Sequence, residues 1–381
     1  MDNWKIENIG KFATIGRGSS PRPITDKRFF ENGTIPWIKI ADATAAGRVI
    51  YKTKEYVNEY GASFSRLLKK GSLILSASGV SLGIPRFLGV DGCIHDGWLY
   101  LENIHDIDVD FLYYKLLTLR TYFDNLSYGA AIQNINTDIF SKTKISLPPL
   151  PTQQKIASIL SAYDNLIQNY KKQIEALQTA ASELYKEWFV RFRFPGYQTA
   201  RFENGIPEGW KIEKLGTLAN ISTGKCNRED AEDDGIYPLF DRSQEIKKSN
   251  EWIKDCEAII VPGEGTSFIP RYYKGKFNLH QRCYCVEPKH PNFGKFLFYV
   301  LMLNRKYFLS VATGATVPSL RYNNFASMKF VLPEMSLCNR FNKIADGIFA
   351  KVDNLQQQIT NLTQQRDLLL PRLMSGKLEV E

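Results

Sequence analysis

The stretch IASILSAYDNLIQNYKKQIEALQTAASELYKEW, residues 156–188, decides the fold of this protein. Its apolar residues follow one another in alternating steps of four and three, which is the heptad pattern of a coiled-coil helix. At about 1.5 Å per residue the helix spans roughly 50 Å, more than one small domain can cover. We therefore expect it to pair with another long helix rather than to cover only its own domain's core. The seam residues are Ile156, Leu160, Tyr163, Ile167, Tyr170, Ile174, Leu177, Ala181, Leu184 and Trp188.

The same pattern returns 185 residues later, over residues 341–373. This predicts a second long helix and, if the two run antiparallel, a spacer that sets the distance between the domains beside it. Thr152 is a possible N-cap of the first helix, Pro371 should kink the second, and Gly376 fits its end. The second seam, apolar except at Arg366, consists of Phe341, Ala345, Ile348, Val352, Leu355, Ile359, Leu362, Arg366, Leu369 and Leu373.

An internal repeat extends through the whole chain. The sequence Ile84-Pro85-Arg86 returns as Ile269-Pro270-Arg271 at an offset of 185, and the offset holds into the helices. Near the start, Trp4-Lys5-Ile6-Glu7 returns as Trp210-Lys211-Ile212-Glu213 at an offset of 206, so the first copy carries 21 more residues, 206 less 185. The two copies are expected to share a scaffold and to differ in loops, which in a DNA reader would give two unlike half-sites.

The repeat predicts an α+β protein in which two mixed domains are separated by two long antiparallel coiled-coil helices. Within the domains, residues 35–40, 72–75, 97–101 and 257–261 are predicted to be strands, and residues 110–123 and 295–308 to be amphipathic helices. The predicted parts are a first mixed domain over 1–150, a first helix over 151–194, a second mixed domain over 195–335, and a second helix with a tail over 336–381.

Composition favours a polyanionic partner without proving one. Forty-nine Lys and Arg residues against forty Asp and Glu give a formal charge of +9. No apolar run has the length of a signal sequence or a membrane span, so we expect a cytoplasmic protein. Six cysteines in a chain of 381 residues do not form a disulfide framework, and we interpret them as reduced thiols.

Several segments resemble the conserved regions of type I restriction-modification specificity subunits. They are Leu147-Pro148-Pro149-Leu150-Pro151-Thr152-Gln153-Gln154-Lys155-Ile156-Ala157, the heptad helix with its ending Lys186-Glu187-Trp188-Phe189-Val190, Leu368-Leu369-Leu370-Pro371-Arg372-Leu373-Met374-Ser375-Gly376, Asn32-Gly33-Thr34-Ile35-Pro36-Trp37-Ile38-Lys39, and Gly129-Ala130-Ala131-Ile132-Gln133-Asn134-Ile135-Asn136. The resemblance covers nearly the whole chain in the family's domain order. The second copy departs from it over residues 332–339 and 314–318, which blurs the second junction.

The resemblance implies a DNA-binding subunit of a DNA methylation and restriction complex. Each target-recognition domain would read one half of a split, asymmetric double-stranded site. The two helices would also dock methyltransferase subunits, two of them expected, with restriction or translocase subunits as possible further partners. S-adenosylmethionine and ATP with magnesium would be bound by those partner subunits, and no cofactor is expected in this chain.

The sequence lacks the motifs of an enzyme that would do this chemistry itself. An amino-methyltransferase needs a short Asp or Asn, Pro, Pro, aromatic loop and a glycine-rich turn for its cofactor, and neither is found. The run Gly16-Arg17-Gly18-Ser19-Ser20 lacks the Lys-Ser/Thr ending of a phosphate-binding loop. The chain is therefore predicted to be non-catalytic.

Polar loop residues are the candidates for DNA contacts, because guanidinium groups pair with guanine and phosphate, and amides with adenine. Arg86 and Arg271 occupy matched positions and are expected to contact phosphate. His95 and His280 also match, which favours a shared structural hydrogen bond. The candidates are Arg17, Ser20, Arg22, Ser76, Ser78, Arg86, Gln133 and Asn134 in the first domain and Lys225, Arg228, Arg242, Ser267, Arg271 and Arg321 in the second.

No metal site is predicted. His280, Cys283 and Cys285 are ligand types for zinc, but the two cysteines would fall on one face of a strand and no fourth ligand is evident. Two other functions stay open: a DNA-specificity module that serves a different restriction or methylation system, and a non-catalytic coiled-coil scaffold with incidental basic charge.

Overall fold

The structure, a computed structural model, describes residues 4–127 and 134–380 and divides into two compact units. The first unit comprises Met1–Lys172 and Gln356–Glu381, and the second comprises Gln173–Leu355. Each unit therefore contains one mixed domain together with part of each long helix.

The first unit has a five-stranded sheet in the order β2-β10-β7-β8-β4, a four-stranded sheet in the order β5-β3-β9-β6, and a two-stranded ribbon of β1 and β11. Its strands are β1 (Lys5–Asn8), β2 (Thr14–Arg17), β3 (Ile35–Ile38), β4 (Val49–Ile50), β5 (Glu55–Val57), β6 (Arg66–Leu68), β7 (Leu73–Ser76), β8 (Pro85–Leu88), β9 (Gly92–Ile94), β10 (Trp98–Glu102) and β11 (Lys144–Leu147). Its helices are α1 (Ile40–Ala45), α2 (Glu59–Ala62), α3 (Val109–Thr118), α4 (Arg120–Ser127) and α5 (Thr137–Lys142), followed by the long helix α6 (Leu150–Tyr185).

The second unit has a six-stranded sheet in the order β15-β20-β18-β19-β16-β17, with a ribbon of β14 and β21 and a hairpin of β12 and β13. Its strands are β12 (Phe202–Glu203), β13 (Ile206–Pro207), β14 (Lys211–Lys214), β15 (Ala219–Thr223), β16 (Tyr237–Phe240), β17 (Lys247–Ser249), β18 (Lys254–Pro262), β19 (Arg271–Leu279), β20 (Cys283–Pro288) and β21 (Lys329–Leu332). Its helices are α7 (Leu215–Leu218), α8 (Gly294–Leu303), α9 (Arg305–Val311) and α10 (Tyr322–Ala326), followed by the long helix α11 (Met335–Met374).

The two ribbons show that the sequence repeat is also a structural one. In the first unit Lys5 pairs with Leu147, antiparallel, and in the second unit Lys211 pairs with Leu332 in the same way. These partners correspond at the two sequence offsets, 206 before the loops and 185 after them. In each unit the strand that follows the repeated tryptophan, Trp4 or Trp210, therefore lies beside the strand that leads into a long helix.

The long helices meet, and they run antiparallel. In the first unit Ile156 and Leu160, near the start of α6, share a buried cluster with Leu373, near the end of α11. In the second unit the rings of Tyr185 and Trp188 lie 5.7 Å and 6.2 Å from the ring of Phe341, near the start of α11. All the predicted seam residues are buried or half-buried. The predicted pairing is therefore confirmed.

The polar exception in the seam has a partner on the other helix. Arg366 donates a hydrogen bond from Nη1 to Asp164 Oδ1 at 2.6 Å, and the Tyr114 hydroxyl donates to the other carboxylate oxygen at 2.6 Å. Only 9% of the Asp164 side chain is exposed, so the carboxylate depends on these two donors. The seam thus joins the helices and also ties them to helix α3 of the first domain.

Two local predictions are wrong. Residues 110–123 and 295–308 were each expected to form one helix, but both segments break at matched positions, Leu119 and Asn304. At the first break the N–H of Leu119 bonds to the Leu116 carbonyl, which tightens the last turn. At the second the Asn304 side chain donates to the Val300 carbonyl at 2.7 Å. The amphipathic pattern continues across both breaks, so it could not reveal them.

Prolines and a glycine mark the start of α6 and the end of α11. Thr152 is not the N-cap, because α6 begins at Leu150 and the Pro149 carbonyl accepts the N–H groups of Thr152 and Gln153. Pro371 lies in the last turn of α11, and Gly376 follows with a φ of 70°, a conformation that favours glycine. Within residues 4–127 and 134–380, no helix is long and apolar enough to cross a membrane.

Candidate nucleic-acid interface

A turn around a histidine occurs at the same place in both domains. The N–H of His95 donates to the Ile38 carbonyl at the end of β3, and the N–H of His280 donates to the Phe240 carbonyl at the end of β16. Each imidazole Nδ1 then accepts the N–H two residues later, at 2.9 Å from Gly97 and at 3.0 Å from Arg282. The predicted structural hydrogen bond of the two histidines is confirmed.

A glycine lets a loop cross directly over each histidine turn. A Cβ on Gly18 would lie 2.2 Å from the His95 carbonyl oxygen, and one on Gly224 would lie 1.8 Å from the Leu279 carbonyl oxygen. The two glycines match at the offset of 206. The loops that follow β2 and β15 are therefore held close to the turns, and these loops carry several of the DNA-contact candidates.

In the first unit five candidates come together around Asp96. Arg17 donates from Nε to the Asp96 carbonyl at 2.7 Å and from Nη2 to Asn134 Oδ1 at 3.0 Å. The Asp96 N–H donates to Ser20 Oγ at 3.2 Å, and Arg22 forms an ion pair with the Asp96 carboxylate. Ser78 joins the group through a backbone bridge to Asn134.

In the second unit the candidates gather around Glu264. Arg242 lies 2.7 Å from Glu264 Oε2, and Arg282 lies 2.5 Å from Oε1. The backbone of Glu264 bridges to Ser319, and the adjacent Leu320 donates its N–H to Gly263, which brings exposed Arg321 to the same loop pair.

The loop after β15 reaches this group from another direction. Gln281, which precedes Arg282, donates to the Asn227 side chain at 2.6 Å, and Cys226 bridges to His280 through the backbone. Lys225 and Arg228 flank these contacts and are exposed. Several loops around one histidine turn thus contribute a group of exposed cations, Lys225, Arg228, Arg242, Arg282 and Arg321.

Some candidates are used by the protein itself. Arg86 donates to the Ala43 and Pro85 carbonyls, and Arg271 donates to the Asp241 and Ser243 carbonyls. Burial lowers the pKa of both guanidinium groups. Both arginines therefore bond to the protein backbone at their matched positions, and Nε of Arg271 is buried without a partner among the described residues.

Ser76 has a structural role, and the backbone of Ser267 has one. Ser76 is fully buried and its hydroxyl bonds to the backbone at Ser81 and Ile84, so this side chain does not reach the surface as expected. Ser267 is half-buried, and its carbonyl accepts Nε of Arg305 at 2.8 Å. Gln133 lies outside the described residues.

The electrostatics of the two turns favour neutral imidazoles. Burial lowers the pKa of His95 and of His280. Around His280, Arg242 and Arg282 lower the pKa further, while Asp241 and Glu264 act in the opposite direction. The rings are therefore neutral near pH 7, which suits Nδ1 as a hydrogen-bond acceptor.

The cysteines near His280 are packed thiols. Cys283 and Cys285 are fully buried in a cluster with Phe240, and burial raises the pKa of Cys283 to about 12. All six cysteines are free. Within the described parts of the chain, no group of three or more His, Cys, Asp or Glu side chains is arranged to hold a metal ion.

The acidic residues at the centre of both groups are not among the residues predicted from the sequence. Asp96 and Glu264 do not occupy matched positions in the repeat. Because phosphate attracts cations, carboxylates are also not expected as DNA contacts. Arg282 was missed as well. The repeated histidine was the available signal, because Asp96 directly follows His95 and Arg282 comes two residues after His280.

Comparison with known proteins gives a consistent result. The sequence model described as "Type I restriction modification DNA specificity domain" matches residues 1–179 and 207–366. The type I restriction enzyme MjaIX specificity subunit of Methanocaldococcus jannaschii is 24% identical, over 100% of this chain and 94% of that protein. The EcoDI specificity subunit of Escherichia coli is 31% identical over a shorter region, 46% of this chain and 40% of that protein.

A solved structure has the same fold. The crystal structure of the type I restriction-modification system S subunit from M. genitalium aligns with a TM-score of 0.62 at 19% identity, covering 97% of this chain and 96% of that one. The family model matches most of the chain in two parts, and these parts correspond to the two copies of the internal repeat. The chain therefore belongs to the family of type I restriction-modification DNA specificity proteins.

Proposed function

We propose that this chain is the DNA-binding specificity subunit of a type I restriction-modification enzyme and reads a bipartite, asymmetric double-stranded site. One observation carries the proposal: the two units share one scaffold, and each gathers arginines and polar side chains around its histidine turn with different residues. Two domains with the same scaffold but different contact residues can bind in the same way and recognise two different half-sites. The proposed recognition domains are residues 1–150 and 195–335, with the helices of 151–194 and 336–381 as spacers.

The residues proposed to contact DNA are those that lie around the two histidine turns and whose side chains are not used to hold the protein backbone. Arg86, Arg271 and Ser76 are not among them, because each side chain is at least half-buried and hydrogen-bonded to the protein backbone. The proposed contacts are Arg17, Ser20, Arg22, Ser78 and Asn134 in the first unit and Lys225, Arg228, Arg242, Arg282 and Arg321 in the second.

The proposed partners are two methyltransferase subunits, with restriction subunits as a further possibility. Exposed apolar residues at matched positions support two equivalent docking sites. Leu150 and Met335 are 42% and 39% exposed, and Ile159 and Ile344 are 38% and 44% exposed. The chain itself has no catalytic role in this proposal, and the partner subunits bind S-adenosylmethionine and ATP.

Methylome sequencing of a host with and without this gene tests the proposal. We expect one split adenine-methylated motif, with two unlike halves, to disappear on deletion and to return on complementation. The purified chain with its methyltransferase subunits should also bind that motif in preference to random duplexes of equal length, at several salt concentrations. An unchanged methylome together with no sequence preference would show that the chain is a scaffold.

A further inference from the structure

The carboxylate of Glu264 lies beneath two exposed arginines. Its two oxygens are each occupied by one guanidinium group, Oε2 by Arg242 and Oε1 by Arg282, at 2.7 Å and 2.5 Å. The Glu264 side chain is only 15% exposed, whereas those of Arg242 and Arg282 are 47% and 54% exposed. The acid is therefore covered by the two arginines, whose outer edges face solvent.

The backbone holds this carboxylate in place. The N–H of Gly263 donates to the Arg282 carbonyl at 2.8 Å, and the N–H of Gly265 donates to the Pro318 carbonyl at 3.0 Å. A Cβ on Gly263 would lie 2.7 Å from the same Arg282 oxygen, so this approach requires glycine. The loop of Glu264 and the turn of Arg282 thus form one fixed support.

The first unit contains a similar arrangement built from other positions. Arg22 pairs with the Asp96 carboxylate, and Arg17 donates to the Asp96 carbonyl. The position that matches Asp96 in the second domain is Gln281. The acidic residue is therefore not part of the sequence that the two copies of the repeat share. Both domains therefore place a carboxylate against an exposed arginine beside the histidine turn, with two arginines on Glu264 and one, Arg22, on Asp96. The other Asp96 oxygen lies 2.8 Å from Nδ1 of His95.

An acid on a DNA-facing surface reduces attraction to phosphate, so a role other than charge is needed to explain it. An arginine reads guanine only when its planar fork is presented in a fixed orientation, and a carboxylate that holds one terminal nitrogen supplies that orientation. The same negative charge weakens binding to DNA of any sequence. The fixed orientation increases the ratio of specific to non-specific binding, and the charge limits how tightly non-cognate DNA is held.

We propose that Glu264 and Asp96 are positioning residues, Glu264 for Arg242 and Arg282 and Asp96 for Arg22, which fix these arginines for base reading and so set the specificity of each half-site. The proposal rests on the proposed function, and it adds that the acid in each unit controls one half of the site. Loss of one acid should relax one half and leave the other half intact.

Glu264→Gln in the complete complex with the methyltransferase subunits tests the proposal. Affinity is measured by fluorescence anisotropy on the cognate duplex, on single-mismatch duplexes in each half, and on random duplex, over a range of salt concentrations. We expect cognate affinity to fall about tenfold or more, because the arginines lose their orientation. Random-duplex affinity should rise several-fold, and mismatch penalties should shrink in one half only. Asp96→Asn should relax the other half.

Glu287→Gln is the matched control, because Glu287 forms an ion pair with Lys254 in the same sheet and its removal changes the net charge equally. If Glu264→Gln and Glu287→Gln change binding alike, or if both halves relax together, the positioning role is wrong. A wild-type complex without any sequence preference would instead overturn the proposed function. If Glu264→Gln does not fold, Arg282→Lys serves as the second variant, because it keeps the positive charge but lacks the planar guanidinium group. This variant must reduce the mismatch penalties in the same half of the site.

Discussion

At the residue scale, the two histidine turns combine a structural hydrogen bond with an acid-sensitive group. Nδ1 of His280 accepts the Arg282 N–H only while the ring is unprotonated at that nitrogen. Since burial lowers the pKa of His280, the folded protein binds fewer protons than the unfolded chain below about pH 6.5. The turn is therefore stable above that pH and loses stability as the pH falls through it.

We expect His280→Asn to reduce this acid sensitivity, because an asparagine side-chain oxygen can accept the same N–H without titrating. The melting temperature of the wild-type protein should fall more between pH 7.5 and 5.5 than that of the variant, as followed by circular dichroism. His105→Asn is the control, because this exposed ring lies outside both turns. Equal losses in wild type and His280→Asn would contradict the expectation.

Residue positions also show what the sequence could and could not predict. The pairs Arg86 with Arg271 and His95 with His280 were found because they repeat, and both turned out to be structural. Repetition therefore identifies the scaffold of these domains. The arginines around Asp96 and Glu264 come from loops of different length, so their proximity depends on tertiary packing that no local pattern encodes.

At the element scale, the helix pair was predictable because heptad spacing directly specifies a buried seam. The partner of Arg366 was not, since Asp164 lies off the apolar seam and 202 residues away. The positions that match Asp164 and Arg366 in the other half of the repeat are Phe349 and Ala181. A helix α6 paired with a second copy of itself would set Asp164 against Ala181 and leave the carboxylate without this arginine. The pair thus favours the native partner.

We expect Arg366→Met to destabilise the first unit by about 3 kcal/mol, because it leaves a buried carboxylate with one donor fewer. The double variant Asp164→Leu with Arg366→Met should recover part of that loss, since both charges are then removed although the buried Tyr114 hydroxyl loses its acceptor. Urea denaturation monitors each variant. Lys142→Met, which breaks an exposed ion pair with Asp138, should cost less than about 1 kcal/mol. A double variant less stable than Arg366→Met would argue against this assignment.

At the scale of the whole molecule, the repeated surface predicts the stoichiometry of the proposed complex. Ile159→Glu and Ile344→Glu should each abolish binding of one methyltransferase subunit, and the two changes together should abolish binding of both, as measured by mass photometry. Ile246→Glu is the control, because this residue is 53% exposed and belongs to no matched pair. Full assembly of the double variant would show that the subunits dock elsewhere.

The two-stranded ribbons have a consequence for how such a protein changes its target. Because Lys5–Asn8 pairs with Lys144–Leu147, and Lys211–Lys214 with Lys329–Leu332, the chain enters and leaves each domain at neighbouring points. A gene segment that begins at one strand of a ribbon and ends at the other encodes one complete domain. The two ends of that domain lie next to each other, where it joins the long helices. Under the proposed function, recombination at the two borders of one ribbon is expected to replace one half-site in one step and to leave the seam and the other domain unchanged.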